Sequence, residues 1–401
     1  MHDSSLTESQ PLHRLSREAG LALALARHQP SEAHLAYARR LVMEGIDWAR
    51  LHKLAVRNNV VPLLSKNLEA ACLPGVPGDA VALMVRDREQ VRLHAMLLFS
   101  RQLSLINRIL IPRGIRFALV KGVGLSQRHY GDPFARHCRD IDMLIEADRL
   151  AEVAGALIED GWVVANPGWR GHPLKVFARY SSVIEMRSPD GVRVELHKTL
   201  DNSGLVFDST RLLERATSLT VFGRQFPALA PVDEFLYVCF HHSRHGWSCL
   251  HWCADLPAMM AMPEFETRVL AVAGTDALMA STVAACVDLA ENLEQLSLGA
   301  NRADLSSCSP FLEACLRSID REVEPAPSPA ELDPSTMEPD FPLPWQRSAA
   351  YRIGFAISRC RPNLNDCNAL PLPEHLLWIY WFTRPWRAIV RRLFARLRHA
   401  G

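Results

Sequence analysis

Nowhere does the 401-residue chain carry the roughly 18 consecutive apolar residues that a bilayer-spanning helix needs, so a membrane-embedded class is not expected. The short apolar run Leu21 to Ala26 follows Asp3, Glu8 and Glu18 and sits inside a helical pattern, which argues against a secretory signal. Charge of one sign is missing as well: 45 Lys and Arg face 44 Asp and Glu, a net charge of +1. So even a balance exerts no global pull toward nucleic acid or membrane, and any such attraction must be local. A basic, aromatic-rich groove signal is also lacking, so stable nucleic-acid binding is not expected. Ten cysteines in a long chain without a signal segment point to reduced thiols and a cytoplasmic setting, not to a disulfide framework. No internal repeat is present.

What is present is the composition of an ordinary globular protein, 48% hydrophobic and 22% charged, long enough for two or more domains. Ser31 is placed to cap a helix over 33–43. Further helices are expected over 46–58, 61–71 and, past the Pro74–Gly78 loop, 80–111. The last of these buries Leu97, Leu98, Leu103, Ile106 and Leu110. Strands are expected over 115–120, 141–145, 176–179, 183–187 and 192–197, with helices over 122–129 and 149–160. The Asp190-Gly191 turn joins the last two strands as a hairpin. Beyond Leu200 the sheet signal weakens to one strand over 217–221. Helices follow from Pro231 to about 245 and over 250–260, 277–296 and 311–320. The fold class is therefore α+β, a small mixed sheet flanked by N- and C-terminal helical regions. Boundaries are drawn at 1–112 (helical), 113–228 (mixed core), 229–320 (helical), 321–345 (Pro-rich acidic linker or loop) and 346–401 (helices with a basic tail).

Side chains two apart on a strand share a face. Asp140 and Asp142 therefore stand on one side while Ile141, Met143 and Ile145 line the other. By the same count Arg193, Glu195 and His197 stand together, with Val192, Val194 and Leu196 turned to the core. Two carboxylates ~4 Å apart repel by about 4 kcal/mol at an effective dielectric of ~20. A shared proton, a basic partner or a divalent cation would offset that. Hard oxygen donors favour Mg²⁺ or Mn²⁺ over Zn²⁺, and a third carboxylate on a neighbouring strand would complete a clamp for in-line phosphoryl chemistry. Val120-Lys121-Gly122-Val123-Gly124, where a strand feeds a helix, offers backbone N–H groups and an ammonium to phosphates. Singly these signals are weak, since a lone Asp-x-Asp more often marks a solvated strand edge. Their order and spacing carry the weight.

That order of parts resembles the nucleotidyltransferases of the DNA polymerase beta superfamily. More closely, Leu119-Val120-Lys121-Gly122, Tyr130, Arg136 four residues before Asp140-Ile141-Asp142, and Glu195-Leu196-His197 are similar to a bacterial family of uncharacterised nucleotidyltransferases. The resemblance covers most of the chain. It implies a Mg²⁺- or Mn²⁺-dependent transferase that moves NMP from an NTP such as ATP to a hydroxyl-bearing acceptor, a small molecule, peptide or protein, releasing pyrophosphate. Asp140, Asp142 and Glu195 would be the catalytic metal ligands, Glu195 serving alternatively as base. Lys121, Gly122, Gly124 and Arg136 would bind the phosphates, and His197, His241 and His245 would approach substrate. Arg139 stands where relatives carry a small residue, and Lys-Gly replaces the superfamily's Gly-Ser. These departures motivate an alternative, a catalytically inactive nucleotide-binding or accessory protein on the same fold.

Three other stretches have competing readings. His241, His242, His245, Cys249, His251 and Cys253 crowd into thirteen residues, with His241 and His245 at the i,i+4 spacing that suits zinc. The plainer reading is a polar helix end, because His-Glu-x-x-His and a finger spacing are both lacking. Seven prolines lie between Pro325 and Pro344, in a stretch with no Lys or Arg between Glu322 and Trp345, which reads as a solvated linker or loop. The tail from Arg384 to His399 interleaves six arginines with Trp386, Ile389, Val390, Leu393, Phe394 and Leu397. Such a segment can lie on anionic lipid as a peripheral contact or bind an acidic partner. The plainer expectation is a terminal helix packed on its own domain.

Overall fold

A computed structural model describes residues 15–166, 168–201, 203–263, 265–276, 278–301, 303, 305, 309–320, 348–358, 360–384 and 386. The Pro-rich segment and most of the basic tail lie outside the described residues. The chain divides into two compact units, residues 1–89 with 242–261 and 284–326, and residues 90–241 with 262–283 and 327–401.

The second unit is built on a seven-stranded mixed sheet, in keeping with the α+β class. Its strands are β1 (Phe117–Leu119), β2 (Ile141–Ile145), β3 (Val163–Val164), β4 (Val183–Arg187), β5 (Arg193–His197), β6 (Thr217–Val221) and β7 (Arg224–Ala228). They lie in the order β3-β4-β5-β2-β1-β7-β6. β2 runs parallel to β5 and β1 parallel to β7, and every other neighbouring pair is antiparallel. Alternation in β4 and β5 sends Ile184, Met186, Val194 and Leu196 into one core with Met143 and Ile145 of β2. Against them pack Val153, Ala154 and Leu157 of the helix Leu150–Glu159, and Leu105, Ile106 and Ile109. Each such side chain contributes roughly 1.5–3 kcal/mol on burial. That gain holds the acidic positions of the same strands on the opposite face.

Three sequence expectations change. Residues 176–179 are not a strand; they lie in the helix Leu174–Tyr180. A short apolar run does not distinguish the two periods. Pro173 at the helix start decides it, and its carbonyl accepts from the Phe177 N–H at 3.0 Å. Leu97 is 39% exposed, because the buried stripe of Gly78–Leu105 passes through Ala95 and Leu98. The helix then continues as a π-helical turn, Ile106–Leu110, which shifts the phase of the stripe. β7 escapes the sequence pattern because Pro227 interrupts it. Its signal is the two-residue turn Phe222-Gly223, with φ of +48° and +72°, which pairs Val221 directly with Arg224.

A buried carboxylate ties down the helix that follows β1. Glu234 accepts from Arg128 at 2.8 Å and faces His129 Nε2 at 2.7 Å, linking Gly122–Tyr130 to the helix Pro231–Arg244.

The other unit is helical. Leu21, Leu25, Leu51 and Leu64, from its first, third and fourth helices (Arg17–Leu25, Trp48–Arg57, Val61–Ala71), are fully buried. Ser31 caps Glu32–Glu44 as expected, reciprocated by His34. Within this unit Glu294 accepts from Arg27 at 2.7 Å and lies 3.2 Å from His34 Nε2. The histidines and cysteines of 242–253 form packing and hydrogen-bond contacts here. His242 stacks on Trp252 at 4.6 Å, and Cys249 Sγ lies 3.0 Å from His251 Nδ1.

Two stability outcomes follow from these carboxylates. Replacing Glu234 by Gln strands the nearly buried Arg128 guanidinium, and denaturant melts should show a loss of about 3–5 kcal/mol. For Glu294, the His34 hydrogen bond, working against burial and aided by Arg27, lowers the pKa from 4.5 to about 2. A depressed carboxylate pKa contributes stability that is present above the unfolded value and is lost as pH falls through the folded one. Calorimetry should therefore find Glu294→Gln less stable than the parent at neutral pH, the gap closing between pH 4.5 and 2.

Candidate active site

The acidic face of the sheet is assembled by register. β2 and β5 pair so that Asp142 sits directly opposite Glu195, and β4 pairs with β5 so that Glu185 is opposite Glu195 on the other side. His197, two residues past Glu195, brings Nε2 to 3.2 Å from Asp142 Oδ1 and 3.3 Å from Glu195 Oε2. One ligand atom from each of Asp142, Glu195 and His197 lies within 4.8 Å of the others. Among the described residues this is where three or more metal-ligating side chains converge; the histidines and cysteines of 241–253 do not. Asp140 precedes β2 and is held by Arg193, 3.8 Å away, which also lies 3.7 Å from Glu185.

From the neighbouring strand end, Lys121 Nζ reaches to 3.4 Å from Asp142 Oδ1 and 3.4 Å from His241 Nε2. The ammonium also lies 5.7 Å from the centre of the Tyr237 ring, and Tyr237 OH is 3.3 Å from His241 Nδ1. Directly after Lys121, Gly122 has φ +62°, a left-handed backbone that a side chain would strain. The Lys121-Gly122 bend turns the chain from β1 into Gly122–Tyr130, and no side chain caps that helix's first amides. Gly124 lies against the sheet, where a Cβ would meet Leu119 at 3.4 Å.

Opposed charges set the ionisation. Burial disfavours the Asp142 carboxylate, but Lys121, the His197 hydrogen bond and His241 outweigh it and hold its pKa below the ordinary aspartate value. Asp140 moves the other way: burial raises its pKa, Asp142 and Glu195 raise it further, and Lys121 and Arg193 only partly compensate. For His197, hydrogen bonds to Asp142 and Glu195 overcome burial and raise the pKa to about 9. Lys121 likewise lies above the ordinary lysine value, burial being exceeded by Asp142, Tyr237, Asp140 and Glu195. Crowding of carboxylates pushes up Glu185 as well, after burial itself.

The structure thus gathers Lys121, Asp140, Asp142, Glu195, His197 and His241. Arg136 is buried, its backbone N–H donating to Ser126 Oγ at 3.4 Å. Arg139 is exposed, and Arg193 lies 3.8 Å from Asp140. His245 belongs to the helical unit, its ring 5.7 Å from that of Trp252. Glu185 and Tyr237 were not among the expected site residues. Counting pairs back from the 188–191 turn places 185 opposite 195, and Tyr237 lies one helical turn before His241, so both signals were available.

Comparison with curated proteins gives no match. Among solved structures, similarity is found to an antigenic nucleotidyltransferase-like protein from Paracoccidioides brasiliensis, at 18% identity over 57% of this chain and 92% of that one. Its TM-score is 0.27, too low to support any argument. The family described as uncharacterised nucleotidyltransferase matches residues 44–273, a span that contains β1 through β7 and every residue of the acidic cluster. Since that match takes in more than half of the chain, the protein belongs to this nucleotidyltransferase family.

Proposed function

We propose that the chain transfers a nucleoside monophosphate from an NTP to a hydroxyl-bearing acceptor, with release of pyrophosphate, and that the transfer requires Mg²⁺ or Mn²⁺. The observation that carries this reading is the facing of Asp142 and Glu195 across parallel strands, with Asp140 on the same acidic face and Lys121 beside them. The donor set fits a hard divalent cation. It is rich in carboxylate oxygens, and after burial the Asp142 and Glu195 carboxylates raise the pKa of Asp140 further, a like-charge crowding that such a cation relieves. Asp140, Asp142 and Glu195 would hold the ion, and His197, once it has given up the proton that it holds between Asp142 and Glu195, would be a further donor. When bound, the metal supplies charge stabilisation to an in-line displacement at phosphorus. Lys121 and the amides of Gly122 and Gly124 orient the β- and γ-phosphates, an electrostatic role that backbone N–H groups at a glycine bend suit. Arg136 is assigned to the phosphates as well. His241, backed by Tyr237, positions the Lys121 ammonium; it and His197 face the substrate side. His245 is kept as a substrate-side candidate on the sequence resemblance alone.

A second reading has its own support: Asp142 Oδ1 is already in contact with two cationic groups, Lys121 at 3.4 Å and His197 at 3.2 Å. A protein that neutralises its acidic face with its own side chains is suited to binding or accessory work without turnover.

Variants separate the two. Asp142→Asn should reduce pyrophosphate release from NTPs by about 10³-fold or more, the several kcal/mol that metal-assisted charge stabilisation contributes. Unchanged turnover in that variant removes the assignment. Lys121→Met tests the phosphate grip: calorimetry with ATP should show affinity weakened about 10- to 100-fold, matching a charge-assisted hydrogen bond of about 1.5–3 kcal/mol. Unchanged ATP affinity combined with tighter Mn²⁺ binding would instead favour the inactive reading.

A further inference from the structure

The segment at the C-terminal end of the described chain has two faces, and the wrong one is apolar. Leu377 and Tyr380 are buried in a small core with Val176 and Cys367. Tyr380 OH donates to the Leu370 carbonyl at 2.6 Å and accepts from the Leu372 N–H at 3.1 Å. Arg384 lies 3.7 Å from buried Asp366. The stripe 377, 380, 384 therefore anchors the segment to the sheet unit. The opposite stripe should be polar, yet it consists of Trp378, Trp381, Phe382 and Trp386, exposed by 58%, 54%, 74% and 69%. Trp378 and Phe382 meet edge to face at 6.0 Å, so these two rings at least form a joined apolar surface and not scattered singles.

The charge of the following sequence says what this patch meets. After Trp386 come Arg387, Arg391, Arg392, Arg396 and Arg398, and no acidic residue occurs after Glu374. In a chain with a net charge of +1, that is a strong local excess of positive charge. The apolar spacing continues through Ile389, Val390, Leu393, Phe394 and Leu397. Indoles settle at the boundary between headgroups and acyl chains, and arginines beside them are drawn to anionic headgroups.

We propose that the face formed by Trp378, Trp381, Phe382 and Trp386 docks the protein on a lipid surface, and that the positive charge of the sequence after it makes that surface an anionic one. Lipid is favoured over an acidic protein because three of the chain's nine tryptophans stand within nine residues on one exposed stripe. Exposed indoles suit the headgroup boundary, whereas charge pairing alone does not require them.

Co-sedimentation of the full chain with vesicles tests this. Vesicles of phosphatidylcholine with added phosphatidylglycerol should retain the protein, with a blue shift of tryptophan emission, and phosphatidylcholine alone should retain far less. The double variant W381A/F382A should weaken retention on the order of tenfold or more, as loss of two interfacial rings predicts. Its thermal melt should match the parent, since both side chains are exposed. A charge-reversed variant, R391E/R392E, should lose the preference for the anionic vesicles. Failure to bind anionic vesicles at low salt overturns the proposal, as does full retention of W381A/F382A. Retention on immobilised poly-glutamate with none on either vesicle replaces lipid with an acidic protein.

Discussion

Carboxylate repulsion is the constraint around which the sheet unit is arranged. Asp140, Asp142, Glu185 and Glu195 occupy one face of three adjacent strands, and each like-charged pair at ~4 Å costs about 4 kcal/mol at an effective dielectric of ~20. The molecule answers with three cationic groups from separate places: Lys121 at the end of β1, His197 at the end of β5, and Arg193 at its start. The opposite pKa displacements of Asp140 and Asp142 follow from this distribution. Asp142 is adjacent to Lys121 and His197, while Asp140 has the more distant Arg193. On the proposed reading, each charge on the face exchanges its partner for a phosphate or a divalent ion, which is why the balance matters.

That face exists because the other face is apolar. Met143, Ile184, Met186, Val194 and Leu196 bury against helices, and the two-residue period of a strand then leaves Asp142, Glu185 and Glu195 no other direction to point. A slip of one residue between β2 and β5 would carry the acidic side chains into the core, so the hydrophobic pattern also fixes the register of the site. Behind it, Glu234 ties the helix that begins at Gly122 to the helix bearing Tyr237 and His241. The bend at Lys121 is thus held from both ends, by β1 and by a buried ion pair. The aromatic stripe at Trp378 to Trp386 is separate in kind: its energetics are those of exposed apolar surface, not of a charge balance.

Much of this was legible in the amino-acid order. Asp140-Ile141-Asp142 and Arg193 to Glu195 to His197 declare their shared faces by alternation alone. Lys121-Gly122 declares a bend through its glycine, and family membership was visible in the spacing of these parts. Residues 176–179 were not legible from periodicity, since Val176, Phe177 and Ala178 satisfy either period; the helix start at Pro173 and the burial of Phe177 in the main core go with the helix. Nor was the exposure of Leu97, because Leu97 and Leu98 are equally apolar and only packing shows which of the two faces the core.

By itself, then, the sequence determined which side chains share a strand face, where the chain must bend, and which chemistry the acidic residues could support. Those are local properties, governed by backbone period and steric freedom within a few residues. Only the tertiary structure decided that β5 lies beside β2 with Asp142 opposite Glu195, that Arg193 reaches Asp140, and that His241 meets Lys121. Such pairings join residues from 50 to 120 positions apart, and their geometry depends on how whole elements pack, which no short window of sequence encodes.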